Sequence, residues 1–157
     1  MLTSVRRLIG MPVLFREKEM GYVEQAHAGQ GRLEGVVVRR GIGSARWLAA
    51  EEILMMKRDC IIASRKPSQL PPLCRKRAER ACMTDGQCLG EVSDWILVDG
   101  KLSFAALEVS PGPIYRLLGR CGYACEFHRD PSSGNVIVPR LLSWSQLKRQ
   151  LGEEDDG

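Results

Sequence analysis

A chain that overlays on itself at a fixed offset is constrained to build one folding unit twice. Here the offset is 69 positions without gaps. It places Gly21 on Gly90, Val23 on Val92, Gly31 on Gly100, Leu33 on Leu102 and Gly43 on Gly112. Arg32 falls on Lys101, and Val36-Val37-Val38 on Ala105-Ala106-Leu107. Three of the five identities are glycines at expected bends, where the missing Cβ permits positive φ. The other two are apolar residues at matching places in the flanking strands.

Each copy has the same grammar. A strand opens at Gly21-Tyr22-Val23 and again at Gly90-Glu91-Val92. Turns follow at Gly29-Gln30-Gly31 and at Asp99-Gly100, and Asp-Gly between apolar runs is a strong hairpin signal. Second strands are predicted over residues 32–39 and 101–109. In the first copy, strands are expected at 12–15, 46–48 and 59–63, with a helical stretch over 50–56. In the second, strands are expected at 126–129 and 136–138, around a turn from Asp130 to Asn135. Pro67, Pro71 and Pro72 exclude a regular element from the segment between the copies. Residues 73–82 read as a short basic helix or as a charged lead-in to the second copy's first strand. Ser143 reads as an N-cap, with Trp144, Leu147 and Leu151 on one face of a terminal helix and Gly152 ending it. The organisation is therefore a first module at 1–66, a Pro-rich basic linker at 67–80, a divergent second module at 81–142, and a helix with an acidic tail at 143–157.

Composition is that of a folded protein: 44% hydrophobic and 27% charged residues, which excludes wholesale disorder. The net charge of +4 and pI near 8.8 are only mildly basic. No apolar run approaches the roughly 18–20 residues of a membrane helix. Arg6 and Arg7 before the apolar run 8–15 mimic a signal peptide. Arg16, Glu17, Lys18 and Glu19 follow at once, with no small-residue cleavage site, so the run reads as a strand. A cytoplasmic location is the expectation, and the six cysteines are then expected to be reduced thiols.

The residues from Ser4 to Val13, with Ile9-Gly10-Met11-Pro12-Val13 leading into the first strand, resemble the opening of a PRC-barrel domain. Gly21-Tyr22-Val23 and the run Gly31-Arg32-Leu33-Glu34-Gly35-Val36-Val37-Val38 are similar to that family's central hairpin. Trp47 to Ile53 resembles its later strand and helical turn, and Cys60-Ile61-Ile62 its last strand. The resemblance covers about residues 3–65 well and 80–140 more loosely, because Ala81-Cys82-Met83 does not reproduce the Gly-x-Pro-Val opening. It implies a mainly β protein of two tandem small β-barrels, with short helices and a C-terminal helix. Such domains occur in the cytoplasmic part of the photosynthetic reaction-centre H subunit, in the C-terminal half of a ribosome maturation factor, and as stand-alone bacterial and archaeal proteins. Members are generally adaptors, without a shared catalytic motif. The sequence has neither the H subunit's membrane helix nor a stretch for the maturation factor's N-terminal domain, so neither specific role transfers.

Candidate chemistry is sparse. Cys121-x-x-x-Cys125-x-x-His128 is the most metal-like string, since zinc takes tight Cys pairs with His. The plainer reading is small buried thiols and a surface histidine, because strand geometry turns His128 away from the two cysteines. Cys82 and Cys88 lack the Cys-x-x-Cys spacing of thiol redox motifs and read as unpaired thiols. His27 reads as a solvent-facing strand residue. There is no nucleophile elbow, P-loop or dinucleotide fingerprint. Arg75, Lys76, Arg77 and Arg80, with Arg39 and Arg40, can meet phosphates, but no aromatic residues interleave with them for base stacking. Trp47, Trp95 and Trp144 read first as packing residues. Trp95 and Trp144, if exposed, become partner contacts.

The sequence thus points to a non-enzymatic adaptor of two PRC-barrel-like modules that binds a protein partner, without cofactor and without membrane insertion. The alternative is an RNA- or ribosome-associated factor using the basic linker, and a zinc-stabilised module is a third reading. Oligomeric state is left open.

Overall fold

The computed structural model describes residues 1–29, 31–73, 78–99, 101–112 and 121–153. Its strands, in chain order, are β1 (Leu2–Ser4), β2 (Pro12–Phe15), β3 (Lys18–Ala28), β4 (Leu33–Arg39), β5 (Arg46–Ala49), β6 (Ile53–Met56), β7 (Ile61–Ala63), β8 (Ser68–Gln69), β9 (Arg80–Met83), β10 (Cys88–Val98), β11 (Phe104–Ser110), β12 (Gly122–Ala124), β13 (His128–Arg129) and β14 (Val136–Val138). Among the described residues, short 3₁₀ turns span Val5–Leu8 and Ala50–Glu52, and one α-helix, α1, spans Trp144–Gln150. The protein is mainly β, built on two sheets, one of which curls into a half-barrel.

The two sheets share one strand order. The first runs β6-β7-β2-β3-β4-β5-β8, and the second β13-β14-β9-β10-β11-β12, with β1 paired to β10. In each, an antiparallel hairpin, β6–β7 or β13–β14, joins the next strand by a parallel pairing, β7 to β2 and β14 to β9. A long antiparallel hairpin follows, β3–β4 in the first sheet and β10–β11 in the second. The correspondence reaches single residues. Gly21 and Gly90 sit at φ 133° and 136°, and a Cβ on either would run into a backbone carbonyl of the neighbouring strand, Arg39 O at 2.6 Å for Gly21 and Ser110 O for Gly90. Only glycine brings the two strands of the hairpin that close. Neither path closes on itself among the described residues.

By contact the chain divides into two compact units. One holds Thr3–Arg75 with Leu97–Phe104, and the other holds Met1–Leu2, Lys76–Ile96 and Ala105–Gly157. In the first, Leu8, Val13, Val23, Leu33, Val36, Val38, Leu48 and Ile61 are fully buried. The run Val36-Val37-Val38 is buried on both faces of β4, as a near-continuous apolar strand requires. The residues 97–104 join this unit through Leu33 N–H donating to Leu102 O (2.8 Å) and Phe104 N–H to Gly31 O (2.9 Å). In the second unit, Ala81, Leu107, Val109, Ala124, Val136 and Val138 form the core, with Met83, Leu89, Val92, Trp95 and Phe127 packed around it.

Several local expectations need correction. The stretch 50–56 is helical only over Ala50–Glu52. One 3₁₀ turn gives way to β6, whose β-branched Ile53 pairs with Ala63, a strand-favouring environment. The Pro-rich segment is not wholly irregular. Ser68–Gln69 pairs with Arg46-Trp47 at the sheet edge, where the flanking prolines have no ladder donor to lose. The strand expected at 126–129 is reduced to His128–Arg129 by a bend at Cys125 and Glu126. His27 is half-buried rather than solvent-facing. Its ring meets Trp47 edge-on at 5.9 Å and hydrogen-bonds Gln25 Oε1 at 3.2 Å. The turn at Asp130 forms as expected. The Asp130 carboxylate accepts from the hydroxyls of Ser132 and Ser133 and from the Ser132 N–H, which together hold its pKa below the usual carboxylate value.

Candidate functional site

Polar and aromatic side chains converge on the β10–β11–β12 face of the second sheet. Register places Glu108 of β11 opposite Tyr123 of β12. The Ser93 hydroxyl on β10 donates to Glu108 Oε1 at 2.6 Å, and the Tyr123 hydroxyl donates to Glu108 Oε2 at 3.2 Å. One carboxylate thus ties three adjacent strands together. Burial, followed by the charge and hydrogen bond of Glu108 and then by Cys121 and Asp94, pushes the Tyr123 phenol up to about 12. Asp94 is itself buried on β10, and its Oδ1 accepts the Trp95 N–H at 2.8 Å.

An exposed apolar patch rests on this ladder. Tyr123 exchanges both backbone hydrogen bonds with Leu142 (2.9 and 2.7 Å), which fixes the chain entering α1. Ser143 caps the helix. Its hydroxyl accepts from Gln146 N–H at 3.2 Å, while the Gln146 side chain accepts from Ser143 N–H at 2.8 Å. This reciprocal pair satisfies two backbone donors that helix geometry leaves orphaned. Leu147 is fully buried, anchoring the seven-residue helix to its sheet. Trp144, on the first turn, packs on Tyr123 with ring centroids 5.1 Å apart and an interplanar angle of 57°. It remains 39% exposed, beside Leu141 at 38%. Leu141 lies against Gly122, where a Cβ would meet its side chain at 2.8 Å. Arg140 and Arg149 are exposed near the ends of the same segment.

The residues singled out from sequence fall in different places. Trp144 is in the patch. Trp95 is half-buried and packs edge-on against Phe127 at 5.4 Å beside the core, so its indole works in packing. Cys121 and Cys125 flank β12 and are half-buried thiols, while His128 is exposed on β13. Among the described residues, no three His, Cys, Asp or Glu side chains are grouped to hold a metal ion. Arg39 is engaged, its Nε to Glu24 Oε1 at 3.0 Å and one terminal nitrogen to Gly43 O at 2.9 Å. Arg40 and Arg80 are exposed, Arg39 and Arg40 belonging to one unit and Arg80 to the other. Arg75, Lys76 and Arg77 lie outside the described residues. Among the described residues, no helix is long and apolar enough to cross a membrane.

Sequence reasoning missed Ser93, Glu108, Tyr123 and Leu141. The available signal was Glu108, a charge inside an otherwise apolar strand. Its partners lie 15 positions away on either side and are identified only once the register of three strands is known. No protein-family model matches the chain, and no curated protein matches it.

Proposed function

We propose that this chain is a non-catalytic, cytoplasmic interaction module that binds a protein partner through the patch of Trp144 and Leu141. The observation that carries the proposal is the exposed Trp144 indole held on a capped helix and backed by Tyr123. Interface energy concentrates in large, pre-organised aromatic side chains, and this one loses little freedom when covered. The ladder beneath supports the same reading. Ser93 and Tyr123 spend their hydroxyl protons on Glu108 rather than presenting them to a substrate, and a phenol with its pKa near 12 is a poor base at neutral pH. The basic side chains at Arg140 and Arg149 favour a partner segment that combines apolar and acidic residues. We also infer that the two like-ordered sheets are divergent tandem barrels of the PRC-barrel kind, in keeping with the resemblance of residues 3–65 and with an adaptor role. RNA or ribosome contact has less support, since Arg39 is already committed to Glu24 and Gly43.

The test is a photo-crosslinking residue in place of Leu141 in the native host. A discrete protein adduct that survives ribonuclease is the expected result. A ribonuclease-sensitive adduct, or none above that of the same probe at exposed Ser145, would overturn the proposal.

A further inference from the structure

Cys82 and Cys88 stand directly opposite each other on β9 and β10. Both are free thiols. The loop between these strands closes with Met83 N–H donating to Gln87 O at 2.8 Å. Antiparallel ladders alternate hydrogen-bonded and non-hydrogen-bonded pairs, so the next pair outward, Cys82 with Cys88, is of the second type. Cα atoms in such pairs lie about 4.5 Å apart, within the roughly 4.4–6.8 Å that a disulfide spans. The two side chains therefore leave the ladder on the same face. The turn holds this register without their help: Gly86 takes φ 92°, and Asp85 Oδ1 accepts the Gln87 N–H at 3.0 Å. Just beyond Cys88 a bulge interrupts the pairing before Gly90, so the strand has slack where a new bond would form.

We propose that Cys82 and Cys88 form a reversible dithiol–disulfide site whose reactant is a low-molecular-weight disulfide such as glutathione disulfide. Their environments divide the work. Cys88 is exposed and receives the reactant, whereas Cys82 is buried, 7% exposed. Burial, and then the neighbouring Cys88, push the Cys82 thiol up, with Arg80 opposing them, so Cys82 acts second. The Cys88 thiolate attacks one sulfur of glutathione disulfide, that S–S bond breaks, and one glutathione leaves as its thiolate. Cys82 then attacks Cys88 Sγ, its proton passing to the departing sulfur, and a second glutathione leaves. Two protein thiols and one glutathione disulfide become one protein disulfide and two glutathione thiols. This site does not depend on the partner-binding proposal.

The test uses the full chain equilibrated across a series of reduced and oxidised glutathione mixtures, acid-quenched, alkylated and digested with trypsin. Both cysteines fall in the one tryptic peptide 81–101. The expected result is that oxidising mixtures convert this peptide to a form lighter by two hydrogens and closed to alkylation, and that reduced glutathione restores it. In Cys82→Ser the same peptide should instead retain one glutathione on Cys88. A wild-type peptide that accumulates the mixed disulfide, or that stays doubly alkylated while cysteines elsewhere react, would overturn the proposal. The wild-type result decides even if the variant fails to fold.

Discussion

At Gly21 and Gly90 the backbone does what no other residue allows. Both combine a positive φ with a neighbouring carbonyl where a Cβ would stand. Gly90→Ala should therefore cost about 3 kcal/mol, from backbone strain together with forced strand separation. Gly134→Ala has the strain alone, since nothing lies within 4 Å of a Cβ there, and should cost about 1 kcal/mol. Urea midpoints of the two variants check the difference, and equal losses would remove the close-approach argument. Tyr123 makes a second prediction at this scale. The folded protein holds the phenol proton to about 12, whereas the unfolded chain releases it near 10. The folded state thus binds the extra proton between those values, so stability falls as pH rises from 10 through 12 and is intact below 10. Solvent screening at this half-buried group keeps the loss to about 1 kcal/mol. Absorbance titration of the phenolates should show one late-ionising group, absent in Tyr123→Phe and moved to lower pH in Glu108→Gln.

At the scale of elements, α1 is too short to persist by propensity alone. It stands on the Ser143–Gln146 cap, on buried Leu147 and on the Tyr123–Trp144 contact. Ser143→Ala should cost about 1 kcal/mol and increase amide exchange across Trp144–Gln150, with the core strands β9, β11 and β14 unchanged. Exchange rising equally in those strands would mean that the cap supports the whole unit rather than the helix. This helix was legible in the sequence because its signals are local: Ser143 before Trp144, apolar residues at helical spacing, and Gly152 after it, which takes φ 76° as a terminating glycine does. The segment at 50–56 was not legible, because local helix-formers lost to a tertiary demand, the pairing of β6 with β7. Ser68–Gln69 was hidden for the same reason, since its strand exists only by pairing with β5.

At the scale of the molecule, the repeat reappears as one strand order in two sheets, although the offset that joins Gly21 to Gly90 is lost by the next strand, where Arg39 corresponds to Ser110 rather than to Glu108. The repeat was legible at Gly21 and Gly90, because neither has a substitute at the close approach of its hairpin. The candidate site was legible only at Trp144. Ser93, Glu108 and Tyr123 meet through the register of β10, β11 and β12, a non-local property that no short motif carries. The proposed partner binding rests on their combination: a polar ladder fixes Tyr123, Tyr123 and the cap fix Trp144, and the indole stays exposed. The most direct measurement is quantitative affinity capture from the native host by the wild type and by Trp144→Ala side by side, each first shown to be folded by circular dichroism. A buried aromatic anchor contributes about 2 kcal/mol or more to an interface, so the variant should retain its main protein partner about 30-fold less well. Equal retention of the same partner by both proteins would contradict the account.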